Sequence, residues 1–307
     1  MARKWWVLLI LVLLLAGGGI AAWDYGMRRM EQALAGWSEV RRGEGWRIAH
    51  EAPERVGFPF RPGLRLGQLA VDLPTGFGWR ADRATIALTP TDLRNLHLAL
   101  DGRQGLRVPG GMVPVSAPRL EGRLALDGSE GLLEGNSVRM GQSSMGAMAL
   151  RLRPGRFELT ADALRLAEIG GLRLDSAQMA GRLSPPPLGT ARQWREAGGT
   201  LQIESMELRQ GPSTATVTGG LALDAQLQPE GRGQLQLTAP GEAVRLLAEA
   251  GLVPAQLAGP LRAFVAFGAR VPNEGGPPRL DIALELRDGR LSAGRLPVAT
   301  LPRMEWR

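Results

Sequence analysis

From about residue 46 onward, apolar residues recur at every second position in short runs closed by glycine. Leu96, Leu98 and Leu100 alternate with His97 and Ala99 before Asp101-Gly102, and Leu124 and Leu126 with Arg123 and Ala125 before Asp127-Gly128. Val217, Gly219, Leu221 and Leu223 share one parity, while Leu235 and Leu237 alternate with Gln234, Gln236 and Thr238. Leu280, Ile282, Leu284 and Leu286 alternate with Asp281, Glu285 and Arg287 before Asp288-Gly289. Successive side chains of a strand point to opposite faces, so period two means extended backbone with one apolar face. Asp-Gly closing such a run is a hairpin signal, because the tight turn needs positive φ. One apolar and one polar face suits an antiparallel sheet covered on one side, and equally a curved sheet with an apolar concave face.

A second feature limits where that sheet can sit. Residues Trp5 to Trp23 form an uncharged apolar run directly behind Arg3 and Lys4. At about 1.5 Å per residue its helix spans roughly 28 Å, close to the hydrocarbon core of a bilayer. Trp5 and Trp6 at one end, Leu13 at the centre and Trp23 at the other end fit a span with aromatic belts. Arg3 and Lys4 place the N-terminus in the cytoplasm by the positive-inside rule. A cleaved signal peptide is the competing reading. The weak cleavage match at Gly19 and Ile20 and the tryptophans at both ends favour a retained anchor.

The chain divides on this basis into residues 1–24, cytoplasmic tip and anchor; 25–45, an amphipathic connecting helix; and 46–184, a first β-rich portion. Residues 185–200, with Pro185-Pro186-Pro187 and a short helix at Gln193–Glu196, read as a linker. Residues 201–307 form a second β-rich portion with a helix pair at 241–267, interrupted by Pro254. Met27, Met30, Leu34 and Trp37 make the apolar stripe of the connecting helix. That stripe either lies on the membrane or packs on the following domain, and packing is the expectation. The expected fold is mainly β (β-rich α+β): an N-terminal transmembrane helix, then curved antiparallel sheet or sheets with a few covering helices.

The chemistry that composition allows is narrow. There is no cysteine, which removes disulfides, thiol nucleophiles and thiolate metal sites. The net charge of +7 includes Arg3 and Lys4, and the other arginines are scattered without a basic run. Lys4 is the only lysine, so the arginine bias reads as codon composition, and no nucleic-acid partner is expected. His50 and His97 are the only histidines, and His97 lies on the polar parity of its strand. Glu204 and Glu207 would fall on opposite faces. Without a metal-ligand spacing, a nucleophile elbow or a phosphate loop, no catalytic, metal or cofactor residue is assigned. Gly57-Phe58-Pro59-Phe60-Arg61, followed by Leu64-Arg65-Leu66, reads as a backbone kink feeding a strand. Phe58 and Phe60 are then expected to seal one end of the core.

The N-terminal span, GFPFR at 57–61 and LELRDGRLSAGRLPVATLP at 284–302 resemble the DUF2125 family of inner-membrane-anchored bacterial proteins. The segment GGLALDAQLQPEGRGQLQLTAPGEAVRLLAEAGLV at 219–253 fits the same layout of strand, strand, helix. The resemblance implies a single-pass inner-membrane protein with a periplasmic C-terminal domain, and no activity. More distantly, the layout is similar to the AsmA-like envelope proteins, which implies a curved β-groove that passes lipids. On that footing Leu221, Leu223, Leu235, Leu237, Ile282 and Leu284 are candidate groove residues, although each serves a closed core equally well. The expected function is non-catalytic binding or passing of acyl chains in the envelope. The alternative is an assembly factor that binds another envelope protein by strand addition. The expected partners are accordingly the inner membrane and either lipid or such a protein.

Overall fold

The computed structural model describes residues 2–59, 61–89, 91–186, 189–253, 255–271, 275–294 and 296–306. A single helix, α1 (Ala2–Gly43), opens the chain. The expected division at residue 24 is therefore not a break: no proline interrupts α1, and the helix runs on through Gly26. Two short strands follow, β1 (Arg47–Ala49) and β2 (Glu54–Val56), then β3 (Gly63–Asp72), β4 (Gly78–Thr89) and the long β5 (Asp92–Val108). Next come β6 (Gly111–Ser116), β7 (Arg119–Ala125), β8 (Gly131–Met140), β9 (Ser143–Arg153), β10 (Arg156–Leu166) and β11 (Leu172–Ser184). α2 (Ala191–Glu196), opened by a Thr190/Gln193 capping box, leads to β12 (Thr200–Gln210), β13 (Ser213–Leu223) and β14 (Pro229–Thr238). α3 (Pro240–Glu249) and α4 (Ala255–Gly268) are inserted before β15 (Arg279–Arg287), β16 (Arg290–Ala293) and β17 (Leu296–Thr300).

Among the described residues all seventeen strands belong to one antiparallel sheet. β1 and β2 both pair with β3, and β6 and β7 both lie between β5 and β8. From β8 to β17 each strand pairs with the next in sequence. Two β-rich portions were expected around the prolines at 185–187, but the sheet continues through this connection, because β11 and β12 pair directly. The Asp101-Gly102 hairpin expectation also fails. β5 runs straight through it, with Gly102 at φ +81° in a register shift against β4. Asp127-Gly128 and Asp288-Gly289 do form turns.

Gln68, Ser137 and Ala163 hold φ of 47°, 52° and 50° in mid-strand. At each, the buried parity slips by one, as from Leu66 to Leu69, Gly135 to Val138 and Ala161 to Leu164. The kink thus keeps the apolar residues on one side of the sheet. Among the described residues two buried clusters lie on that side: Leu66, Ala81, Ala84, Leu100 and Leu120, with Leu34 of α1 packed on them, and Ala161, Leu164 and Leu174. α1 docks along the first strands through fully buried Met27 and through Leu34, as expected of its stripe. Arg55 of β2 clamps it by reaching Asp24 at 2.8 Å and Glu31 at 2.7 Å, which holds both carboxyls below their ordinary pKa.

The sheet is rolled until its distant parts meet. Trp306 packs edge-on to Phe77 in the β3–β4 turn, with centroids 6.1 Å apart, and its indole N–H donates to Leu227 O in the β13–β14 turn. The Gln228 side chain brackets the Met304 backbone, donating to its O at 3.1 Å and accepting from its N at 2.9 Å.

Candidate functional site

Residues directly opposed in a ladder share a face, so the register shows what each face carries. Leu66, Ala84, Leu100, Leu120, Gly135, Met148, Ala161, Ala177, Leu208, Ala215, Leu237 and Leu280 are successive partners from β3 to β15. One step along the strands, a second row runs Leu64, Ile86, Leu98, Gly122, Leu133, Leu150, Leu159, Met179, Met206, Val217, Leu235, Ile282. A third includes Leu124, Leu152, Phe157, Ile203 and Leu284, and a fourth Leu201, Leu221, Leu286 and Leu291. No polar residue interrupts the first two rows. At about 4.8 Å between neighbouring strands, they make a continuous apolar stripe roughly 50 Å long.

The other face is mainly polar, with Leu132 and alanines such as Ala99, Ala149 and Ala283 among its charged and amide side chains. Arg123 and Glu134, Arg151 and Glu158, and Arg232 and Glu285 pair across strands at 3.6, 3.4 and 3.6 Å. These surface pairs spread much of the arginine excess over carboxylates and leave little of it as a binding patch.

The apolar face is bent and open. On β13 and β14 a side chain at Gly219, Gly231 or Gly233 would place its Cβ within 2.0–2.5 Å of a backbone oxygen on the adjacent strand. Such crowding on the apolar side is what a sheet curled toward that side produces. The accessible surface is 19367 Å², whereas a globular chain of 32.9 kDa would expose about 12,500 Å². The protruding α1 adds to that excess. Few residues of the long rows are fully buried outside β3–β8, and Leu124 and Leu152 are 54% and 48% exposed.

All six candidate groove residues lie on this face. Leu235 stands between Val217 and Ile282, Leu237 between Ala215 and Leu280, and Leu221 between Leu201 and Gly231. Leu284 opposes Gly233, and Leu223 opposes Pro229. Sequence reading missed their counterparts on β3 to β12. The alternation at Leu96–Leu100 and Leu124–Leu126 signals strands, but only the register joins them to the later ones.

The remaining sequence candidates separate. Gly57 (φ +84°) closes a loop in which Arg61 N donates to Gly57 O at 2.8 Å. Phe58 does not seal the core: it is 58% exposed and packs edge-on against Trp23, 5.3 Å away. Its strand-end loop reaches α1 before the sheet interior. Phe60 lies outside the described residues, as do the side chains of Arg3, Lys4, Trp5, Trp6 and Leu13. Among the described residues no helix is long and apolar enough to cross a membrane. His97 Nε2 sits 3.3 Å from Asp92 on the polar face. Glu204 pairs with Arg182 and Glu207 with Arg209. Among the described residues no group of three metal-ligating side chains converges.

The family model for DUF2125, described as an uncharacterized protein conserved in bacteria, matches residues 23–187 and 147–302. The chain belongs to the DUF2125 family. For this DUF2125 chain, neither a curated protein nor a solved structure matches.

Proposed function

We propose that this protein is a non-catalytic, inner-membrane-anchored periplasmic β-groove that binds acyl chains on its apolar face or passes them along it. The run Trp5–Trp23 is its single-pass anchor, with the N-terminus in the cytoplasm. The observation that carries the reading is the unbroken apolar register from β3 to β15 on a face that is curled and only partly covered. An ordinary core closes such a face. Acyl chains lying on it would leave water at about 0.8 kcal/mol per buried methylene, without needing a polar contact.

The test is lipid recovery from the purified full-length protein. Leu235→Asp places a charge in the middle of the second row and should abolish co-purifying lipid. Gln234→Asp, next to it on the polar face, should leave it unchanged. Equal lipid in both variants at retained thermal stability would rule the groove out. The second reading, strand addition to another envelope protein, is favoured by β17, which pairs with β16 alone among the described residues. A lipid-free protein that co-purifies with a stable protein partner would support that reading.

A further inference from the structure

α4 is strongly apolar and weakly held. Between Ala255 and Gly268 only Gln256 and Arg262 are polar, and no carboxylate occurs from Ala250 to Asn273, where Arg262 and Arg270 are the charges. Among its described residues Val265 is buried and Leu261 half-buried, while Phe267 is 93% exposed and Val271, just beyond, 63%. The helix rests on α3, and its last residue, Gly268, approaches Leu280 of β15. A helix apolar around most of its circumference belongs in a core or in lipid, and among the described residues of this one Val265 alone is fully buried.

The direction in which it points follows from the roll of the sheet. α1 leaves the apolar run at Trp23 beside Phe58, at the end of β3 joined to β2. The opposite end of β3, its turn to β4, meets the β13–β14 turn through Trp306. Neighbouring strands rotate by about 20–25°, so the nine steps from β3 to β13 amount to roughly half a turn. The far end of β14, where α3 and α4 are inserted, therefore points the same way as Trp23.

We propose that α4 and the residues after it lie on the bilayer that α1 enters. Phe267 and Val271 sit at the acyl border, and Arg262 and Arg270 at the level of the lipid phosphates. The inference rests on the anchor reading above. It adds a second membrane contact, beside Leu280 at the end of the first apolar row, where an acyl chain would step between bilayer and sheet.

The chain lacks cysteine, so Phe267→Cys and Gln226→Cys each offer one labelling site on the full-length protein. Gln226, in the β13–β14 turn, marks the opposite end of the same strands. Each variant, carrying an environment-sensitive fluorophore, is reconstituted into phosphatidylethanolamine and phosphatidylglycerol vesicles doped with spin-labelled acyl chains. Co-flotation with the vesicles checks the anchor separately. The expected result is blue-shifted emission with loss of intensity to the quencher at 267, and water-like, unquenched emission at 226. Water-like emission at 267 in protein that floats would overturn the inference and leave the anchor standing. Quenching at both sites would overturn the orientation. Failure to float would remove the anchor and this inference with it.

Discussion

Gly57 shows how a single residue fixes a connection here. Its φ is +84°, and a Cβ would lie 1.7 Å from the carbonyl oxygen of Arg61. Gly57→Ala should cost about 1–3 kcal/mol in urea unfolding, the usual range for a residue forced into a sparsely populated backbone region. An unchanged midpoint would mean that the loop re-routes. The kink at 57–61 was legible in the sequence, but the packing of Phe58 on Trp23 was not, since nothing local says that α1 passes this loop. Glu168 makes a second residue-scale case. Its carboxylate accepts from the Ser143 hydroxyl and from Gln142 N at 3.2 Å, tying the β10–β11 turn to the β8–β9 turn. The Ser143 hydrogen bond, with backbone donors, lowers its pKa from 4.5. A depressed pKa stabilises the fold above the unfolded value, and that contribution is lost as pH falls through the folded one. Glu168→Gln should therefore be less stable than the parent at neutral pH, with the gap closing below about pH 4.5. A gap that persists into acid would contradict the assignment.

At the scale of elements, the inward stripe in the second half of α1 was legible, although the helix was expected to divide at residue 24. Met27, Met30 and Leu34 were read as its inward stripe, and Met27 is 0% exposed with Leu34 on the first core cluster. Trp37 departs from that stripe: it is 43% exposed and packs on Trp46, while Ser38 takes the buried position. A helical stripe is wide enough that period alone does not choose between neighbours at its edge. Met27→Ala should cost about 2–5 kcal/mol, as for other large-to-small changes at fully buried sites. Hydrogen exchange should then rise in β1 and β3, the strands α1 touches. Exchange confined to α1 would mean that the helix is not part of the cooperative unit. Strand elements were mostly legible from period two, except where Gln68, Ser137 and Ala163 shift the parity. A left-handed residue in mid-strand leaves no mark in an alternation pattern beyond a one-residue slip.

At the scale of the whole molecule, the C-terminal tail is the seam of the roll. Trp306 joins the β3–β4 turn to the β13–β14 turn, although the two lie far apart in sequence. Trp306→Ala should raise hydrogen exchange at 73–78 and at 224–228 together, and enlarge the radius of gyration in solution scattering. A rise at only one turn would show that the tail decorates the roll without closing it. The scattering arm is decisive for the apolar face, because opening the seam exposes more of the rows from β3 to β15.

Sequence by itself determined that strands would dominate, that they would be antiparallel and two-faced, and that no familiar catalytic motif interrupts them. These properties follow from side-chain alternation and turn chemistry, which are local. It also carried the apolar run behind Arg3 and Lys4. Tertiary structure decided that one sheet passes through the proline-rich connection, that Leu66 and Leu280 belong to the same row, and that the roll brings Phe77 to Trp306. Those outcomes depend on pairing register and on twist accumulated over many strands. Neither quantity is written in any single segment of the chain.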